Sequence, residues 1–386
     1  MQGSKRKGAA AAVLTIASLT IASLAIVASA FARSDVAPTA STAPSAACEN
    51  PTIGFQGPIT GDAAFIGKEQ LGFAKYAIRR LGGGKIKLSQ QDTQLDPAQA
   101  STTGTKLHAN ADVLAVVGPA GSQEVLAVAP IFKKAQRLPF ISGSATRTSL
   151  TNGSIPNFFR VVPNDSVQAP TTAKYIRLVL KAKDVFIVDD QTAYSRPLAN
   201  GVQANLKAAG LKVTRNSVNQ KVTDFSALVA KIGSDIDVVY LPWQIAANAQ
   251  IFGQQMKEQG KKAIIFGSDG LDSGDFKIVG SYVSAFAPDI RGIKGNAAFI
   301  RGYRAKFVSN FGPPMYVATQ AAIAAIKKAC ADGDATRAEV QRNLKATFIP
   351  KIVLGGNLQF TARGDVKGSK FYIFKVGAGG KKTLVG

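Results

Sequence analysis

The sequence predicts an α/β fold built from two successive parallel-sheet units, and three observations predict it. Strand-like and helix-like runs alternate from residue 51 onward, the alternation starts over near residue 184, and small-residue turns close two apolar runs of the first unit. PTIGFQGP (51–58) predicts a first strand and EQLGFAKYAIRRLGGG (69–84) a helix ended by glycines. KIKLSQQD (85–92) predicts a second strand and DPAQASTTGTKLHAN (96–110) a second helix. VLAVVG (113–118) and LPFIS (138–142) follow as strands, with the helix-like SQEVLAVAPIFKKAQ (122–136) between them. The turns that close these two runs are GPAGS (118–122) and SGSAT (142–146). In open α/β sheets ligands bind outside the carboxyl ends of strands, where such turns collect. Ser122 opens the helix, so its hydroxyl and the free N–H groups of that turn suit a carboxylate, and one strand over Ser144 and Thr146 add hydroxyls, with Ala145 between them leaving the backbone open to approach. Two βα loops with an ordinary helix cap would look the same.

The second unit reads DVFIVDD (184–190), LKVTRNSV (211–218), DIDVVYLP (235–242) and KAIIFGSD (262–269) as strands, separated by helices near 195–209, 223–232 and 246–259. Helices return at 295–309 and 316–331, and Thr336 with Glu339 forms a capping box for another at 336–346. The tail holds two strands, NLQF and KFYIFKV, joined by TARGDVKGS, whose Arg363-Gly364-Asp365 reads as a hairpin turn.

The first residues stand apart from this pattern. Lys5, Arg6 and Lys7 precede an Ala/Leu/Ile/Val run from Gly8 to Phe31, with small residues for cleavage at 28–32, so 1–32 reads as a secretory signal peptide. A retained anchor is the competing reading. SDVAPTASTAPSAA (34–47) suits a flexible tether over 33–49. Export changes the meaning of the net charge of +23: basic residues scattered over an exported chain argue against nucleic acid and for attraction to an anionic envelope or membrane surface, with a solvated surface that has no partner as the other reading. Cys48 and Cys330, in an oxidising compartment, can pair if the fold brings them together. Lipidation of Cys48 is the alternative, although the apolar run ends about sixteen residues earlier.

Chemistry is sparse. The sole histidine, His108, lies on a polar helix, no His/Cys/Asp group has metal spacing, and GGGK (82–85) ends a helix where a phosphate loop would follow a strand. Neither a nucleophile elbow nor a functional carboxylate pair is recognisable, so no catalytic residue, metal or cofactor is assigned.

The chain resembles the type I periplasmic solute-binding proteins, specifically the leucine/isoleucine/valine-binding branch that serves ABC importers. The resemblance covers residues 50–386. It rests on the order of GPITGDAAFIG (57–67), LDPAQA (95–100), the two turns, FRVVPNDSVQAPTTAKYI (159–176), IVDDQTAYSRPLA (187–199), TDFSALVAKI (223–232), FGSDG (266–270) and GDVKG (364–368). It implies two Rossmann-like lobes with parallel sheets, joined by three crossovers and closing over a ligand. Lobe I would hold 50–162 and 289–351, and lobe II 163–288 and 352–386. Cys330 then falls in the lobe that begins near Cys48, which favours the disulfide.

By the same resemblance, Ser122 and Thr146 hold the α-carboxylate of an amino acid, and the carbonyl of Ser144 and the acid Asp269 take its ammonium. Tyr194 reaches the ligand from lobe II. An aromatic wall of the family is replaced by Ile66, and a second falls at Gln244, with Trp243 one position away; Asp269 is one methylene shorter than the usual glutamate. The implied protein is a monomeric, exported binding component that presents an amino acid, branched-chain or related, to a membrane ABC permease. A short amide, urea or an aromatic acid is the alternative ligand, and a sensing ectodomain the alternative role.

Overall fold

Strand polarity in this chain follows strand position. The structure is a computed structural model that describes residues 46–386, so the expected leader and the tether before residue 46 lie outside the described residues. After a short helix α1 (Ala46–Glu49), the first sheet takes β1 (Thr52–Gly57), β2 (Lys87–Asp92), β3 (Val113–Val117), β4 (Phe140–Ser142) and β5 (Phe158–Arg160). They pair in parallel in the order β2-β1-β3-β4-β5. The central strands read TIGFQG and VLAVV and are buried throughout, whereas KLSQQD, at the edge, is half exposed. Between them run α2 (Ala64–Leu81), α3 (Pro97–Ala109) and α4 (Ser122–Phe132). Asp96 caps α3 by accepting from the N–H groups of Ala98 and Gln99, and Gly82–Gly84 end α2, with positive φ at Gly83 and Gly84.

The second sheet repeats the logic. Helix α5 (Asp165–Leu178) leads into this sheet, α6 (Ser195–Ala208), α7 (Ser226–Ala230) and α8 (Ala246–Glu258) connect β6 (Asp184–Asp189), β7 (Lys212–Ser217), β8 (Val238–Leu241) and β9 (Ile264–Gly267) in turn, and β10 (Tyr282–Ala285) follows. Its polar strand, KVTRNS, again lies at an edge. The chain then returns to the first lobe with α9 (Ala297–Tyr303), α10 (Gly312–Ala329) and α11 (Arg337–Lys345), and makes a two-stranded ribbon of β11 (Phe348–Ile349) and β12 (Leu358–Gln359). It finally crosses back to add β13 (Tyr372–Val376) and β14 (Lys382–Leu384) antiparallel at the far edge, giving the order β14-β13-β10-β9-β8-β6-β7. The architecture is therefore two lobes of mostly parallel sheet joined by three crossings.

Several boundaries differ from the sequence reading. The tail strands NLQF and KFYIFKV do not pair with each other, because KFYIFKV finds an open edge on β10. Arg363-Gly364-Asp365 does form a turn, bracketed by a bridge between Phe360 and Val366. Its Gly364 has φ +91° and sits where a Cβ would collide with the Phe158 carbonyl. The helix expected at 223–232 shortens to α7, and that expected at 295–309 to α9.

The first lobe's main core lies where α2 meets α9 and α10. Phe73 stacks on Tyr303 at 4.0 Å between ring centroids, and Tyr76 donates to the carbonyl of Phe299. Two glycines make room: a Cβ at Gly72 would meet the Tyr303 hydroxyl, and one at Gly302 the Tyr76 hydroxyl. Cys48 and Cys330 form a disulfide that closes a separation of 282 residues and ties α1 to the end of α10.

Candidate functional site

The carboxyl ends of both sheets face one interlobe region. On the first-lobe side, Gly121 occupies the N-cap of α4 and offers no side chain, so the N–H groups of Ser122 and Gln123 have no hydrogen-bond partner among the described residues. The buried Ser122 hydroxyl accepts from the N–H of Arg147 (3.2 Å), which leaves its own proton free to donate. Glu124 accepts from the N–H of Gly121 (2.5 Å), and burial pushes its carboxyl up to about 7.

The neighbouring turn is held from below. The Ser142 hydroxyl accepts from the N–H groups of Ser144 and Ala145, and Gln70 of α2 donates to the Ser144 hydroxyl (2.8 Å), which itself donates to Ala120 O. Arg160, fully buried at the end of β5, donates to the carbonyls of Ala145 and Arg147 and pairs with Asp365 at 2.6 Å. One guanidinium thus fixes the SGSAT turn to the third crossing. Thr146 is fully buried, and its hydroxyl has no hydrogen-bond partner.

Asp269 stands on the second-lobe side, just past β9. Its carboxylate is 3% exposed and accepts from the Tyr194 hydroxyl (2.7 Å) and the Gln168 amide (2.5 Å). No cation pairs with it among the described residues. Burial pushes its carboxyl up to about 6, while the two donors act in the opposite direction. The Tyr194 hydroxyl is driven far above its ordinary range by burial and by Asp269, so it remains a donor.

Asp165, which the sequence reading did not single out, completes the group. It is the first residue of α5, its N–H donates to the carbonyl of Thr146 (2.8 Å), and neither carboxylate oxygen has a hydrogen-bond partner. Burial, then the charge of Asp269, raises its carboxyl to about 7, while nearby Thr146, Arg160 and Arg147 pull the other way. The signal for it was the polar PNDS stretch, in which Asn164 takes the N-cap and leaves Asp165 to turn inward.

The expected wall residues divide. Gln244 accepts from the Gln123 amide across the lobes at 2.9 Å. Trp243 packs on Phe225 and Phe252 in the second-lobe core and donates to Val188 O, while Gln244 beside it faces the other lobe. Ile66 is 2% exposed within the first-lobe core, and Phe65 beside it packs against the cores of both lobes. Three further bonds cross the interface: Arg147 donates to Ala193 O (2.8 Å), and the backbone and side-chain N–H groups of Asn310 donate to Asp272 (3.0 and 2.8 Å).

Comparison with known proteins converges on one family. The sequence model of the family described as periplasmic binding protein matches residues 51–381. A Leu/Ile/Val-binding protein homolog 1 from Brucella abortus (strain 2308) is 30% identical over 351 residues, spanning 86% of this chain and 92% of that one. Among solved structures, a leucine binding protein LivK from Thermotoga maritima MSB8 superposes with a TM-score of 0.80 at 20% identity, covering 87% of this chain and 98% of that chain. The branched-chain amino acid transporter substrate binding protein LivJ from Streptococcus pneumoniae, in complex with isoleucine, gives 0.77 at 24% identity, covering 87% and 99%. These two likenesses bear on the fold.

Proposed function

From the premise that this chain belongs to the periplasmic binding protein family, in the branch that includes the Leu/Ile/Val-binding proteins, we propose that it captures an amino acid, branched-chain or related, between its lobes and presents it to a membrane ABC permease. The observation that carries this reading is Asp269, a buried carboxylate held by two neutral donors and no cation among the described residues. An ionised buried acid is unfavourable until a cation joins it, and a ligand ammonium supplies one through a charge-assisted hydrogen bond. The opposite pole suits a carboxylate: the N–H groups of Ser122 and Gln123 at the open end of α4 and the hydroxyls of Ser122 and Thr146. The Ser144 carbonyl and Asp165 flank the ammonium.

The ligand side chain would meet Tyr194, Phe65 and the Gln123–Gln244 amide pair. The working unit consists of lobe I (50–162 and 289–351) and lobe II (163–288 and 352–386), a cleaved leader (1–32) and a tether (33–49), and it acts outside the cytoplasm as a monomer. Closure is driven by the ligand's greater affinity for the closed arrangement, and no reaction is catalysed.

Calorimetric titration of wild type and Asp269→Asn with the common amino acids tests the reading. Removing one partner of a buried pair costs about 3–5 kcal/mol, so the variant should bind at least about a hundredfold more weakly. Unchanged affinity, with Ser122→Ala abolishing it, would place the ligand among acids without an amine.

A further inference from the structure

Charge is distributed unevenly over the outer side of the first lobe. Residues 70–91 hold five basic side chains (Lys75, Arg79, Arg80, Lys85, Lys87) and residues 290–331 hold seven (Arg291, Lys294, Arg301, Arg304, Lys306, Lys327, Lys328), and neither stretch contains an Asp or Glu. The two stretches supply most of α2 and all of α9 and α10, which pack on one another through Phe73, Tyr76 and Tyr303. Of the twelve, only Arg291 is in an ion pair among the described residues, with Asp289.

The cluster has a shaped centre. Tyr76, Arg79, Arg80, Tyr303 and Arg304 line a recess of about 570 Å³ open to solvent. The guanidinium carbons of Arg79 and Arg80 lie 5.0 and 5.5 Å from the Tyr76 ring centroid, and that of Arg80 lies 5.7 Å from Phe299. Stacking restrains the guanidiniums, whose N–H edges match a phosphate or carboxylate in bidentate fashion. Lys327 approaches the same end of α2, its ammonium 3.8 Å from where a Cβ on Gly83 would sit.

We propose that this outer face of the first lobe docks on an anionic phospholipid surface, with the arginine recess taking a headgroup phosphate. A protein partner would need a largely apolar centre to its interface, and Val308 is the one large apolar side chain exposed in these stretches. A face whose two helical stretches hold twelve basic and no acidic side chains is what a charged bilayer surface attracts, at about 1 kcal/mol per Lys or Arg close to it. Docking of this kind would hold the protein beside the membrane and is independent of what occupies the cleft.

Co-sedimentation of the exported protein with phosphatidylcholine vesicles, with and without phosphatidylglycerol, tests this. Wild type should bind the anionic vesicles selectively, and more weakly as salt is raised. Arg79→Gln/Arg80→Gln/Arg304→Gln should weaken binding by about a hundredfold, about fivefold per charge, with ligand affinity unchanged. A second-lobe control, Lys257→Gln/Lys261→Gln/Lys262→Gln, should bind like wild type. Absence of preference for anionic vesicles, wild-type binding by the arginine variant, or an equal loss in the lysine control would overturn the assignment.

Discussion

Asp165 and Asp269 are two buried carboxyls, raised to about 7 and about 6, that ionise later in the folded chain than in the unfolded one. A folded-state pKa above the unfolded value means the native protein holds the extra protons, so the contribution of these groups to stability is full at acid pH and is lost as pH rises through about 6 to 7. An ammonium reverses this preference at Asp269. Ligand affinity should therefore increase from pH 5 toward pH 7, with protons released on binding, and calorimetry at pH 6 in buffers of different ionisation enthalpy reads the release directly. Heats that do not change with buffer would argue against it. At this scale the sequence offered Ser122, Ser144 and Thr146 as candidates because they sit in strand-end turns, whereas Asp269, which reads on its own as a turn residue before a glycine, entered only through the family resemblance. Asp165 was not recognisable, since an Asn-Asp pair at a helix start is satisfied by capping and only the Thr146 carbonyl draws its backbone to the cleft.

Elements were legible where one periodicity dominated, as in the buried runs of β3 and β8 and the glycine-stopped α2. They were least legible where a partner from far along the chain decides. VSA in β10 and KTL in β14 are too short to show alternation, and they become strands because a neighbour's edge needs pairing. Helix α11 shows the same limit from another side: its capping box was visible, but the next residue's role was not. Arg337, 5% exposed, donates to the carbonyls of His108, Asn110, Val113 and Gln136, thereby closing the end of α3 and the start of β3. Arg337→Met keeps the apolar volume and removes every donor, so it should destabilise the protein by about 3 kcal/mol or more. Chemical denaturation measures this, and ligand affinity extrapolated to native conditions should stay the same. A variant as stable as wild type would show that water replaces the guanidinium without cost.

The whole molecule is held in its present lobe arrangement by a few directional contacts. Glu69 of α2 accepts from the N–H groups of Val308, Ser309 and Gly312 and from the Ser309 hydroxyl, presenting Asn310 to Asp272, which also pairs with Lys382 of β14. Asn310→Ala removes the side-chain bond to a charged acceptor, worth about 1.5 to 3 kcal/mol, and should favour the open form, increasing the ligand-free radius of gyration in solution scattering and weakening ligand binding by about tenfold or more. Unchanged scattering and affinity would mean the lobes close without that contact. The three crossings also dictate an order of assembly. The first sheet is complete by Arg160, yet the helices that cover it, α10 and α11, and its cysteine partner come from residues beyond 312, while the second sheet waits for β13 and β14. Neither half of this molecule can finish alone during synthesis, so nearly the whole polypeptide emerges before either core is sealed. That interleaving leaves both cores unsealed through most of synthesis, because the sequence postpones its own completion to the last strands.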